Sequence, residues 1–298
     1  MLAVFSDYFD LNKLMGMIPN KSEHGREIDS MLNFCHWFML ILFVGWTSYF
    51  LYCMWRFSAS RNPKADHKGI RSHFSTHIEA SVVIIEAVIL IGMGIPLWGK
   101  RVNEIPDQQK ADALKIRAIG FQFGWHLHYA GPDGVFGRQH VRFIVPGLNP
   151  LGLDPNDENG RDDVVSLSDM RLVVGKPTVV RVSSLDVIHG FALHQMRVQQ
   201  DAIPGNEAPM WFRPMETGEW QIICAQLCGD GHSGMVASYS AMTQKDFDEW
   251  YAGQRDITQN KLKSQAETMK KQAEADAAEA AKATHDAEAG HGEKKAEH

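Results

Sequence analysis

The sequence predicts an N-terminal two-helix transmembrane hairpin followed by an all-β domain, a sandwich or barrel. Two observations carry this: long apolar runs occupy residues 31–55 and 79–99, and beyond Lys100 the pattern changes to short alternating segments punctuated by turns. A third completes the outline, because residues 254–298 are rich in Ala, Lys and Glu and hold almost no large apolar residue.

The hairpin is read first. Residues 1–30 carry Asp7 and Asp10 and no basic stretch ahead of an apolar one, so they do not read as a cleavable signal peptide, and the first span is its own insertion signal. Residues 31–55, "MLNFCHWFMLILFVGWTSYFLYCMW", contain no Asp, Glu, Lys or Arg, and about 20 apolar residues suffice to cross a bilayer. Cys35 and Cys53 are small apolar fillers there. The second span, "ASVVIIEAVILIGMGIPLWG", holds Glu86 near its middle and Pro96 near its end. An ionised carboxylate at that depth costs on the order of 3 kcal/mol, so Glu86 is expected to be protonated and hydrogen-bonded to a neighbouring helix, which implies a membrane partner. The loop of residues 56–78 sets Arg56, Arg61, Lys64, Lys68 and Arg71 against Asp66 early on, and by the positive-inside rule it is cytoplasmic. Both termini then lie on the outer side.

Residues 100–253 form the outer domain, with strands expected between about Ile105 and Tyr251. In "FQFGWHLHY" Phe121, Phe123, Trp125, Leu127 and Tyr129 fall on one face and Gln122, Gly124, His126 and His128 on the other, the signature of a half-buried strand. "HVRFIV", "MRLVV", "TVVRVSS", "EWQIIC" and "VASYSAM" continue the pattern, separated by "GPDG", "PGLNP", "DENGRDD" and "IPGNEAP". The tail of residues 254–298 reads as a partly helical, solvated extension that supplies no core.

Composition bounds the function. A chain of 298 residues, 44% hydrophobic, is large enough for one sizeable core, and its net charge of -6 argues against nucleic acid and for a cationic protein partner. With only 4 cysteines it is not a disulfide-stapled scaffold.

The chemistry concentrates in "CAQLCGDGHSGM", which reads C-x3-C-x3-H-x2-M from Cys224 through Cys228 and His232 to Met235. Thiolate and thioether select copper or another soft ion, and a Cys/His set with a weak Met is the arrangement of one-electron copper centres. Two thiolates suggest more than one copper. A second imidazole is wanted; His189, just beyond "TVVRVSS", is the first choice and His194 the competitor. A structural zinc site would use both cysteines and His232 but leave Met235 idle. A Cys224–Cys228 disulfide is a further alternative in an oxidising compartment.

The hairpin, the strand "GFQFGWHLHY", the segment "SLDVIHGFALHQMRVQQDAIPG" and the loop "CAQLCGDGHSGM" together resemble subunit II of the haem–copper cytochrome c oxidases, over about residues 31–251. The resemblance implies a Greek-key cupredoxin sandwich carrying a binuclear copper centre, CuA, with two copper ions. It makes Cys224 and Cys228 the bridging thiolates, His189 and His232 the imidazole ligands, Met235 the weak thioether and Gln226 a backbone-carbonyl ligand. The family usually has Glu at this last position, where the carboxylate also reaches a magnesium ion at the subunit I boundary. A neutral glutamine is a poorer ligand for a hard cation, so the copper role carries over and the magnesium role is left open.

Electron entry departs further from the family. Phe123 stands where a Trp is usual, and Trp125 matches the next Trp, so donor contact is expected to fall to Trp125 or to the chain near Asp186. Acids at Asp154, Asp157, Glu158, Asp162 and Asp163 are read either as a negative face for a basic cytochrome or as a solvated insertion. Glu79 matches the family's Glu at the cytoplasmic mouth of a proton channel, although the Trp usual just after it is Val82. No C-x-x-C-H haem-attachment motif is present, so the donor, a cytochrome c or a membrane-bound cytochrome c, is a separate protein. The resemblance implies subunit I and other oxidase subunits as partners, activity only with subunit I, and a bacterial inner-membrane location with the copper domain on the periplasmic side. Among rivals, a thioredoxin-type copper chaperone would need a βαβ pattern, a quinol oxidase subunit II would lack the ligands, and nitrous oxide reductase carries its copper loop behind a propeller. A CuA-type or mononuclear electron-transfer protein of another membrane complex is the alternative.

Overall fold

The computed structural model describes residues 10–64, 67–69, 72–106 and 113–293, with side chains through residue 280; Asp66 and Arg71 of the predicted cytoplasmic loop lie outside them. A short helix α1 (Leu11–Leu14) precedes α2 (Gly25–Arg56), and α3 (Phe74–Ala87) runs through a π-helical turn (Val88–Gly94) into α4 (Ile95–Asn103). Both Gly25–Arg56 and Phe74–Asn103 are long and apolar enough to cross a membrane. Each exceeds the apolar run that predicts it, because the helices continue into polar ends bearing Arg26, Glu27 and Asp29 on one side and Lys100 and Arg101 on the other. The π-helical turn directly precedes Pro96, which has no N–H for the carbonyl four residues back, and a locally widened helix is one way to absorb that missing bond. Glu79 and Glu86 are exposed on this helix, with no covering element among the described residues.

The outer domain is a sandwich of two five-stranded sheets. Its strands are β1 (Leu114–Phe121), β2 (Gly124–Tyr129), β3 (Val164–Leu167), β4 (Asp169–Val173), β5 (Thr178–Ser184), β6 (His189–Leu193), β7 (Val198–Ala202), β8 (Ala208–Phe212), β9 (Gly218–Cys224) and β10 (Val236–Met242). One sheet runs β3-β2-β1-β5-β8 and the other β4-β10-β9-β6-β7. Trp125, Leu127 and Tyr129 from the first meet Phe191, Leu193, Ile222 and Tyr239 from the second in a fully buried core.

Three expectations are corrected. The alternation over "FQFGWHLHY" reads as one strand, yet the chain reverses at Gln122–Phe123 and pairs Phe121 with Gly124, so Phe123 sits on a turn. "HVRFIV" is not a strand: Val141–Phe143 is a single 3-10 turn. The tail is not merely a solvated extension. It continues α5 (Gln244–Glu293), whose first turns bury Phe247 and, within the segment expected to add no core, Leu262, Thr258 and Gln265. Polar side chains replace apolar ones as the glue. Gln265 Nε2 donates to the Phe143 carbonyl at 2.8 Å and its Oε1 accepts from Asn149 at 2.8 Å, while Gln254 and Thr258 bond both backbone groups of Val165. Composition alone hides such a helix, because among the described side chains beyond residue 253 it buries Leu262 as its one large apolar group and otherwise holds through satisfied polar groups.

This roof explains why β2 is buried on both faces. His126 stacks on Phe121 at 4.4 Å between ring centroids, and His128 Nε2 meets Asp163 Oδ2 at 2.6 Å with both side chains fully buried.

The hairpin and sandwich are tied together on the outer side. Arg197 Nε donates to Asp29 Oδ1 at 2.7 Å, Lys21 N to Gln195 O at 2.7 Å, Ser22 Oγ to Met196 O at 2.9 Å, and Trp211 Nε1 to Arg101 O at 3.0 Å. The Arg101 guanidinium lies 4.8 Å above the Trp211 ring. These bonds hold the sandwich at a set height above the ends of α2 and α4.

Burial lowers the His126 imidazole from its usual 6.5 to about 4. Between those values the unfolded chain binds more protons than the folded one, so the contribution is fully present above pH 6.5, falls through the window and levels off below about pH 4. The sandwich should lose up to about 3 kcal/mol of stability from this group, and His126→Phe, which keeps the stack on Phe121, should flatten that part of the profile in denaturant titrations at stepped pH.

Candidate metal centre

Three strand ends meet at one edge of the second sheet. β6 and β9 are antiparallel neighbours with Phe191 opposite Cys224, so His189, two residues back at the start of β6, projects just past the end of β9. The connection from β9 to β10 then folds over this end. Ala225 N donates to Gly190 O at 2.9 Å and Cys224 N to Met235 O at 3.2 Å, which bring both sides of the loop against the strands.

The result is a compact donor cluster. Cys224 Sγ and Cys228 Sγ are 3.8 Å apart; His189 Nδ1 is 3.9 Å from Cys224 Sγ, His232 Nδ1 is 3.6 Å and Met235 Sδ 3.7 Å from Cys228 Sγ, and the Gln226 carbonyl is 3.2 Å from Cys224 Sγ. Two sulfurs each about 2.3 Å from a shared ion at a near-tetrahedral angle would stand about 3.8 Å apart, so the spacing suits shared metal ligation. Both cysteines are free, far from the ~2.05 Å of a disulfide. His189, Cys224, Cys228 and Met235 are buried, whereas His232 is partly open and the Gln226 side chain faces outward. His194 is excluded from the cluster: it lies beyond the far end of β6, about 16 Å along the strand direction from His189.

The electrostatics favour a cation between the sulfurs. Burial, and after it the adjoining Cys224 thiol, pushes the Cys228 thiol up to about 11. Two buried thiolates at this distance repel, and a soft cation relieves the repulsion as it displaces their protons.

Asp186 has a role other than the expected one. Its Oδ1 is 2.9 Å from His189 Nε2 and accepts from Val187 N at 2.6 Å, and its Oδ2 accepts from Gln122 N at 2.7 Å. Burial raises its pKa, but these bonds, that from His189 foremost, outweigh burial and hold the carboxyl below its usual range. A carboxylate only accepts, so His189 carries its proton on Nε2 and turns a basic Nδ1 towards Cys224. Asp186 therefore orients a ligand rather than standing free on a docking surface.

The expected electron-entry residues also separate. Trp125 is fully buried, edge-on to His189 at 5.9 Å and to Phe191 at 4.9 Å, and so is out of reach of a docking protein. Phe123 is 42% exposed. Its ring lies on the metal loop so closely that a Cβ on Gly231 would come within 2.4 Å of it, and only glycine leaves that room. Gln122, which sequence reasoning passed over as the polar neighbour in an aromatic strand, donates from Nε2 to the Cys228 carbonyl at 2.7 Å. The β1–β2 turn thus grips His189 through Asp186 and Cys228 directly. Asp230, exposed on the same loop, was likewise not singled out; its place between two turn glycines was the available signal.

The insertion acids are mostly engaged. Asp163 is buried against His128, Asp154 and Asp157 pair with Arg138, and Asp162 accepts from Asp133 N. They brace the loop rather than form a free negative face.

Comparison with known proteins matches residues 114–242 to the family of the cytochrome c oxidase subunit II periplasmic domain. The chain is similar to the alternative cytochrome c oxidase subunit 2 of Bradyrhizobium diazoefficiens, 31% identical over 256 residues covering 86% of this chain and 90% of the relative. It is 28% identical over 233 residues to cytochrome c oxidase subunit 2 of Cereibacter sphaeroides, covering 72% of this chain and 74% of the relative. Among solved structures, the periplasmic domain of subunit II of cytochrome oxidase from Bradyrhizobium japonicum is 34% identical, with a TM-score of 0.37, covering 51% of this chain and 97% of that domain.

If Asp186 fixes the His189 tautomer, Asp186→Ala should weaken metal retention by roughly 10- to 100-fold while leaving the sandwich folded. Competition against a copper chelator, with far-ultraviolet circular dichroism as the folding control, reads both.

Proposed function

The chain belongs to the cytochrome c oxidase subunit II family, and on that footing we propose that it is the electron-accepting, copper-bearing subunit of a bacterial respiratory oxidase. The observation that carries this is the pair of free, buried cysteines 3.8 Å apart, with an imidazole nitrogen beside each and a thioether and a carbonyl at the margins. Cys224, Cys228, His189, His232, Met235 and the Gln226 carbonyl would hold a binuclear CuA centre of two coppers, and such a centre would supply a one-electron relay.

The chain's own residues set the conditions for that relay. Asp186 and Gln122 hold a ligand from each side, so little of the site has to rearrange when its charge changes. Burial of Cys224, Cys228, Met235 and His189 keeps water from the sulfurs, and Trp125 and Phe191 wall the site from the core side. Phe123 lies over the loop at the surface and forms the contact point for a cytochrome c or membrane-bound cytochrome c, with Asp230 as the exposed acid beside it. From this centre an electron would pass to haem in subunit I, the site of oxygen reduction to water with proton translocation. Glu79, at the expected cytoplasmic end of α3, would stand at the mouth of a proton channel formed with subunit I. The subunit sits in the inner membrane, with the loop between its spans cytoplasmic and both termini and the sandwich periplasmic.

Copper loading of the full chain in detergent tests the centre. Two coppers per chain sharing one unpaired electron over both nuclei are expected by metal analysis and electron paramagnetic resonance, and Cys228→Ser should abolish the shared signal. One copper per chain, or zinc bound in preference, would refute the binuclear reading. Electron entry is tested separately. Phe123→Ala should leave the spectrum unchanged and slow reduction by a basic cytochrome on the order of tenfold, a barrier rise of about 1.4 kcal/mol. Asp230→Lys should slow it too, with the difference from the parent shrinking as salt rises, since screening acts within about 10 Å at 0.1 M.

A further inference from the structure

The segment ahead of the first span folds back along it. α1 runs beside α2, and its polar groups are bonded at levels inside the apolar stretch of residues 31–55. Leu11 N donates to Asn33 Oδ1 at 2.9 Å, and His36 Nδ1 meets Asn12 Oδ1 at 2.8 Å. His36 is the sixth residue of that stretch, so at 1.5 Å per residue Asn12 reaches about 7.5 Å below its outer end. That is the depth of about 5–10 Å at which interfacial segments rest between headgroups and acyl chains.

The distribution of polar and apolar groups fits that depth. Asn12 and Asn33 are each only 4% exposed, and Asn12 also donates from Nδ2 to Asp29 O at 2.7 Å. The backbone donors of Asn12, Leu14, Met15, Gly16 and Met17 are bonded within residues 10–17, which lowers the cost of an apolar surrounding. The apolar side chains point the other way: Leu14 is 78%, Met15 65% and Ile18 45% exposed. Lys13, its ammonium 3.8 Å from Asp10 Oδ2, is open to solvent next to them, where a phosphate headgroup can reach it. On the opposite side Arg197 clamps the segment to the sandwich, donating to Ile18 O at 2.5 Å and to Asp29.

Resting on the reading of the chain as membrane-anchored, we propose that residues 11–18 form a lipid-facing wedge, which seats Leu14, Met15 and Ile18 in the outer leaflet beside the first span. Continuity with the span identifies the occupant as lipid: the exposed side chains lie at the level of residues already assigned to the bilayer. Through Arg197 the wedge also fixes the height of the copper domain over the membrane.

The test is photo-crosslinking in the intact oxidase in its own membrane, with p-benzoylphenylalanine replacing Leu14, Met15 or, as a control in the connection between β2 and β3, the exposed Val141. Phospholipid adducts at Leu14 and Met15, detected by mass, should exceed those at Val141 by about tenfold or more. Adducts no higher than at Val141, or crosslinks from Leu14 and Met15 only to another polypeptide, would overturn the wedge. Replacement of Phe43 and Leu90 within the spans separates the two readings. Lipid adducts there but not at Leu14 overturn the wedge alone, and none at any of these positions overturns the membrane anchoring with it.

Discussion

Two buried thiols held 3.8 Å apart are the constraint on which the rest of this structure depends. Such a pair resists ionisation in the absence of a cation, as the raised Cys228 thiol shows. It also resists oxidation to a disulfide only as long as the backbone keeps the sulfurs from closing. Both conditions demand a loop whose ends are strands of one sheet and whose middle is held from outside. β9 and β10 supply the ends, β6 brings His189 alongside, and the turn between β1 and β2 reaches from the other sheet to hold Cys228 and Asp186. The sandwich is therefore the frame that holds the donor set together.

The same logic explains the outer shell. α5 and the long loop between β2 and β3 cover the face of β2 opposite the core, so that the strand next to the metal loop is packed on both sides. A strand buried on one side only would leave the β1–β2 turn free to flex, and with it the grip on both ligands. The insertion acids belong to this bracing: Asp163 holds His128, and Asp154 and Asp157 hold Arg138. The carboxylates of Asp154, Asp157 and Asp163 are thus engaged within the fold rather than displayed on its surface.

The join between hairpin and sandwich is polar and dense. Arg197, with a left-handed backbone, reaches both Asp29 at the top of α2 and the carbonyl of Ile18. Arg101 and Trp211 make the second attachment. On the proposed electron-relay reading this junction matters as much as the donor cluster, because transfer between a centre in the sandwich and one in the membrane would depend steeply on distance.

The sequence alone determined the two spans, because long apolar runs, uncharged over residues 31–55 and interrupted by Glu86 alone over residues 80–99, have few other uses, and it located the donor loop, because two cysteines, a histidine and a methionine fall within twelve residues. It also placed the strands "TVVRVSS" and "VASYSAM" with their observed limits. Tertiary structure decided what depends on groups distant in the chain. Alternation over Phe121–Tyr129 is satisfied equally by a strand and by half a hairpin, and only pairing with β1 selects the turn that exposes Phe123 and buries Trp125. Asp186 reads as a surface acid until His189 and Gln122 are seen to share its two oxygens. The Ala-rich helix looks like a solvated tail until Gln254, Thr258 and Gln265 find backbone partners on the sandwich. Local pattern reports the hydrophobicity of a residue, but not which of its polar atoms the fold will satisfy, and here those polar bonds set the roles.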